Sequence, residues 1–206
     1  MKKKVKKSKN SSKGFFNKFK ENYQKSWRYL LETKKFIWFI VVLFFITALI
    51  GFIFPAPESV LEKILELIQD ILKQTQDLSW RGLFAYIFLN NFKVSLLGMV
   101  AGIFLGIMPV LTAAGNGYLL GFVGRYSVRE AGFFSLWKIL PHGIFELPAV
   151  FISLGLGVRL GMVFFKGEKE KFATNFYEAL RVFFFIVLPL LFVAAIIETA
   201  LIFFFA

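Results

Sequence analysis

From Phe36 to Phe54 nineteen consecutive positions carry no charge, about the length a helix needs to cross a hydrocarbon layer roughly 30 Å thick. Ahead of that run Phe16, Phe19, Tyr23, Trp27 and Leu30 recur at three- and four-residue steps, with Lys18, Lys25 and Arg28 elsewhere on the wheel. The period predicts an interfacial amphipathic helix over residues 14–34 that feeds the first span. Phe54-Pro55-Ala56-Pro57 closes the span. Over residues 58–78, Leu61, Ile64, Leu65, Ile68, Ile71 and Leu72 then oppose Glu62, Glu66, Asp70 and Lys73. This predicts a second amphipathic helix, net negative and so expected on the outer side. Its apolar face needs a cover: the membrane surface, the rest of the protein, a partner or a second copy.

Further along, Trp80 to Lys93 reads as an interfacial piece and Val94 to Ala114 as the next crossing helix, with Gly98, Gly102 and Gly106 on one ridge where another helix can approach closely. Gly115-Asn116-Gly117 reads as a turn. Two short helices, 117–126 and 131–140, follow as a re-entrant hairpin, because a full span there would sink Arg125, Arg129 and Glu130 at about 2.5 to 3.5 kcal/mol each. Pro141 to Phe165 is the next span, with helix breaks expected at Pro141 and Pro148 and a close-packing line through Ser153, Gly157 and Gly161. Arg159 lies near its end, placed to snorkel. Lys166 to Arg181 reads as a mixed-charge loop, and Val182 to Ala206 as the last span, interrupted by Pro189 and Glu198. The expected fold is an all-α polytopic bundle of four full spans plus a hairpin and two amphipathic helices. On this count the 166–181 loop lies outside, whereas a fifth span would place it inside.

Composition agrees with a membrane protein: 57% of the 206 residues are hydrophobic and 29 are Phe. Charge adds orientation. Residues 1–35 hold 13 Lys and Arg against Glu21 and Glu32, which predicts a cytoplasmic N-terminus in the cell membrane. Residues 1–13 are expected to be a disordered basic arm, followed by the 14–34 helix and a transmembrane domain over 35–206. Beside a bilayer such a basic arm attracts anionic lipid heads; no nucleic acid is expected. The basic and apolar stretches are both too long for a cleaved signal peptide. Absence of cysteine excludes disulfides, thiolate nucleophiles and Cys-based metal sites.

The candidate chemistry lies in the string from Ile139 to Ala149. His142, the only histidine, precedes Glu146 by four residues on one helical face. With Asn90, Asn91, Asn116 and Arg125 these form the expected intramembrane polar cluster. A catalytic zinc needs about three protein ligands, and the pair supplies two; no serine has a nucleophile's context. No catalytic residue, metal or cofactor is therefore assigned, and the chain is read as non-enzymatic. Two readings of the cluster remain. In one, Glu146 accepts hydrogen bonds from His142, an asparagine or backbone and clasps the bundle together. In the other, His142 and Glu146 line the path of a small transporter or channel. A path requires a water-accessible cavity reaching Glu146; a clasp requires a dry site with its polar atoms paired.

Asn90-Asn91, the glycine-ridged helix, Asn116-Gly117 and above all Pro141-His142-Gly143-Ile144-Phe145-Glu146-Leu147-Pro148-Ala149 resemble the stage II sporulation protein M family over roughly residues 35–206. In endospore formers the resemblance implies a membrane anchor that gathers peptidoglycan-degrading partners during engulfment; many relatives occur in organisms that make no spores. The expectation is a scaffold or membrane-organising protein that recruits membrane-protein partners or self-associates as a homo-oligomer.

Overall fold

The computed structural model describes residues 2–54 and 57–205, with side chains from Phe16 onward except at 58, 59, 135, 137–142, 144, 145, 169 and 205. Among the described residues seven α-helices follow in order: α1 Lys2–Ile53, α2 Glu58–Thr75, α3 Trp80–Val100, α4 Ile107–Ala131, α5 Leu136–Phe165, α6 Lys169–Val182 and α7 Leu188–Phe205. Every regular element among the described residues is helical, and the chain is an all-α polytopic membrane bundle.

Among the described residues five segments are long and apolar enough to cross a membrane: Phe16–Ile53, Trp80–Ile103, Ile107–Ala131, Glu146–Phe165 and Glu170–Phe204. The expected four spans plus hairpin are corrected here, and the reason is where the charges fall. The fourth helix begins at Ile107, eleven residues before the fifth span that Tyr118 to Lys138 would form, so Arg129 and Glu130 occupy its last turn and are exposed. Arg125 donates from Nη1 to the carbonyl oxygens of Phe52 (3.1 Å) and Ile53, the last carbonyls of α1. A cation at a helix C-terminus offsets the negative end of its dipole. None of the three charges is buried at mid-span.

The Val94–Ala114 helix is also corrected. After α3 the chain tightens into a 3-10 turn, Ala101–Ile103, and reverses through Leu105 (φ 57°) and Gly106 (φ 72°). Conversely, Gly115-Asn116-Gly117 lies inside α4 and makes no turn. A Cβ at Gly117 or Gly121 would collide with backbone carbonyls of Phe44 or Ala48 on α1. These glycines allow helix contact, not chain reversal. Neither Pro141 nor Pro148 breaks the helix, since α5 runs through both. Neighbouring helices make such prolines tolerable inside a membrane bundle. Residues 169–182 form helix α6 where a loop was expected, and the 14–34 helix is continuous with the first span in α1.

α5 is the central helix, packed against α1, α3, α4, α6 and α7. On one side Ile40, Phe44, Ala113, Phe151 and Leu154 form a core between α1, α4 and α5; on the other Met99, Leu156, Leu160, Phe183 and Leu191 join α3, α5 and α7. Lipid tails are as apolar as these side chains, so close packing has to hold the helices together. Another close approach is between α5 and the end of α3, where a Cβ at Gly102 would strike the Gly157 backbone and one at Gly161 would strike Gly106 and Gly102. A ladder of Phe84, Phe88 and Phe92 on α3 meets Phe192 and Phe183 edge-on.

The two ends of the bundle differ. At the end nearest the basic N-terminal segment, α6 packs on α1, and the Tyr29 hydroxyl donates to Asn175 Oδ1 at 2.9 Å. The Lys166–Arg181 segment therefore shares an end with the basic segment, opposite to its place in a four-span count. The far end holds the α1–α2 connection, the start of α3 and the end of α7, where Trp80 meets Phe203.

Candidate polar cavity at the far end

α3 and α5 run side by side in the same direction, which brings Asn91 level with Glu146. The Asn91 amide donates a side-chain hydrogen bond to the Glu146 carboxylate. Asn91 is buried, and its neighbour Asn90, exposed, reaches Asn91 Oδ1 from Nδ2 at 3.5 Å. α7 adds Glu198 to the same space. Together these side chains line a cavity of about 1070 Å³ that also touches Leu83, Tyr86 and Ile87 of α3 and Ile202 of α7. The second half of α2 forms its remaining wall, through residues such as Leu67, Asp70 and Ile71. Three carboxylates and no Lys or Arg face the cavity among the described residues, so its field favours a cationic or hydrogen-bond-donating occupant.

The cavity ends at mid-bundle. Just beyond Asn91 and Glu146, Ser153 Oγ donates to the Ser95 carbonyl at 2.6 Å, both residues wholly buried. Next, Leu154 fills the space over Gly98, and then the Gly102–Gly157 contact leaves no room for a side chain. The recess is open at the far end and sealed toward the basic end.

Of the cluster read from the sequence, Asn90, Asn91 and Glu146 come together. Asn116 does not join them: it is exposed on α4 and donates to the Thr112 carbonyl at 3.0 Å. Arg125 does not either, being held at the α1 terminus. Both expectations fail because they assumed a hairpin that would fold 116–126 back toward Glu146. The side chains of Pro141 and His142 lie outside the described residues. Glu198, an irregularity of the last span whose meeting with Glu146 nothing in the sequence alone establishes, shares the cavity with it. A lone carboxylate in so apolar a run, LeuPheValAlaAlaIleIleGlu, is itself the signal, because intramembrane acids are rare without a role.

A second polar locus occupies the basic end. Arg159 does not snorkel to water: its side chain is 17% exposed, and it bonds Glu32 Oε2 at 3.1 Å and Thr33 Oγ1 at 2.9 Å, with its guanidinium 3.9 Å above the Tyr29 ring. Such a planar cation suits paired hydrogen bonding and stacking together. It pins α5 to α1 beside a recess of about 390 Å³ lined by Lys25, Arg28, Asn175 and Glu178. Among the described residues no three His, Asp or Glu side chains are placed to hold a metal ion.

An uncharacterized protein of Methanocaldococcus jannaschii is 36% identical to this chain over 73 residues, 35% of this chain and 31% of that protein. The matched part is thus under a third of that relative's length. No solved structure matches. The family described as stage II sporulation protein M matches residues 40–201, most of the chain, and the chain belongs to that family.

Proposed function

We propose that the protein is a non-enzymatic membrane-organising scaffold, with its N-terminus in the cytoplasm of the cell and a partner protein docked at the far, outer end. One observation carries this reading: α2 leaves apolar side chains exposed beside the mouth of a blind cavity, while Leu61, Ile64, Leu65 and Ile68 are half-buried. Val60, Leu67, Ile71 and Leu72 are all exposed, and α2 shares no extended interface with another helix. An amphipathic helix left so is a surface for a partner's apolar segment. Family membership supports the same reading. At the opposite end the basic segment holds anionic lipid heads.

The test is cross-linking in native membranes followed by purification of the full chain. Wild type is expected to retain its membrane-protein partners, and Leu67→Asp with Ile71→Asp to lose them while staying folded and inserted. Retention of the same partners by that variant would sink the docking reading. The cavity itself favours a second reading, transport, because it reaches Glu146. The seal from Ser95 to Gly157 argues against a continuous path in this state. Cation or proton flux in reconstituted vesicles, lost in Glu146→Gln, would replace the scaffold with a transporter.

A further inference from the structure

Lys93 is the unexplained charge of the bundle. It is exposed on α3, and among the described residues no hydrogen bond or ion pair involves its amine. Its depth follows from its neighbours. Two residues on, Ser95 meets Ser153 of α5; two residues before Ser153, Phe151 packs against Phe44 of α1. Lys93 therefore lies abreast of Phe44, near the middle of the uncharged run Phe36–Phe54. An ammonium turned toward acyl chains at that depth costs about 2.5 to 3.5 kcal/mol even on the mildest scales. Either headgroup region is about 15 Å away along the helix, ten residues at 1.5 Å each, beyond a lysine stem's reach.

The surrounding face is that of a helix packing surface. Leu89, Lys93 and Leu97 follow at four-residue steps, with both leucines exposed, at 49% and 64%, and Asn90 exposed beside them. The complement to the lysine is on the same chain at the same depth. Asn90 belongs both to this face and to the wall of the acidic cavity, with Glu146 and Glu198 behind it. Side chains on a helix lean toward its N-terminus, so Lys93 leans toward the level of Asn90, Asn91 and Glu146. In a two-fold pair with its axis along the membrane normal, residues of equal depth meet and each contact occurs twice. One patch here holds a cation and, a turn away, an acidic recess.

We infer that the α3 face formed by Leu89, Asn90, Lys93 and Leu97 binds a second copy of this chain, with Lys93 of each copy entering the acidic cavity rim of the other. Asparagine amides facing each other across the pair add interhelical hydrogen bonds. The face itself lies on α3, and of α2 only the second half borders the same cavity, so a docking variant in the first half of α2 separates partner docking from self-association.

Because the chain has no cysteine, single cysteines report the contact cleanly. Full-length Leu97→Cys in lipid vesicles, oxidised at high lipid-to-protein ratio, is expected to form a covalent dimer, whereas Phe39→Cys on the exposed side of α1 gives only collisional background. Adding Lys93→Leu to Leu97→Cys should cut the dimer about tenfold, the equivalent of roughly 1.4 kcal/mol. Among the described residues Lys93 bonds nothing, so this variant is expected to keep its fold. Lys93→Arg should retain the dimer, and Glu146→Gln should lower it with no further loss on adding Lys93→Leu, as expected of two groups in one interaction. Equal cross-linking by Leu97→Cys and Phe39→Cys overturns the inference. So does a dimer that Lys93→Leu leaves intact, or losses from the two substitutions that simply add. The α2 variant Val60→Asp, exposed and away from the cavity wall, should dimerise normally; its failure to do so would also count against the proposed face.

Discussion

Gly102, in the 3-10 turn that follows α3, sets how closely that end approaches α5. Its missing side chain lets the Gly157 backbone lie where a Cβ would be, and Gly157 in turn leaves room for Pro109 and the Gly98 carbonyl. Gly102→Val should therefore cost at least about 2 to 3 kcal/mol, because overpacking against backbone cannot be relieved by a rotamer change. Gly115 sits in α4 with nothing near its would-be Cβ. There Gly115→Ala should be neutral or stabilise by about 0.5 to 1 kcal/mol, the helix-propensity gain. Thermal unfolding of both variants in one detergent checks the contrast; similar losses in the two would show that helix propensity, not helix contact, governs these glycines. Residue-scale reading of the sequence was sound for Gly102, Gly157 and Gly161 and misled at Gly117. Glycine serves a turn and a close approach equally, and the neighbouring asparagine tipped the reading to a turn.

The element most misread was the helix across 94–114, and the cause lies in Leu105. A leucine with φ of 57° gives no warning in sequence, since only glycine and asparagine adopt that conformation without strain. The structure pays about 1 to 2 kcal/mol for it. Leu105→Gly should recover much of that, raising the unfolding temperature in detergent, while Gly106→Val should lower it. A Leu105→Gly protein less stable than wild type would mean that the exposed leucine contributes packing this account does not assign. Other elements were legible for plain reasons. α2 was readable because its apolar and charged positions separate cleanly at helical period, and Phe36–Phe54 because nothing polar interrupts it. α4 was obscured because three charged residues near its end were counted as if they lay at its centre. The Asn91–Glu146 contact was half legible: each group stood out as a polar residue in an apolar setting, but only the parallel packing of α3 and α5 pairs them.

At the scale of the molecule, five segments able to cross rather than four decide what each end can do. With an odd number of such segments the basic N-terminal segment, α6 and the Arg159 network gather at one end, and α2 and the mouth of the cavity lie at the other. Docking of an outer partner, a recess entered from that side, and attraction of anionic lipid to the opposite leaflet all presuppose this division. Cysteines placed one at a time at Lys18, Gln74 and Lys171 of the cysteine-free chain, and probed with a membrane-impermeant maleimide in vesicles of known orientation, test it directly. Positions 18 and 171 are expected to react from the cytoplasmic side and position 74 from the outer side. Reaction of 18 and 171 from opposite sides of the membrane would contradict it.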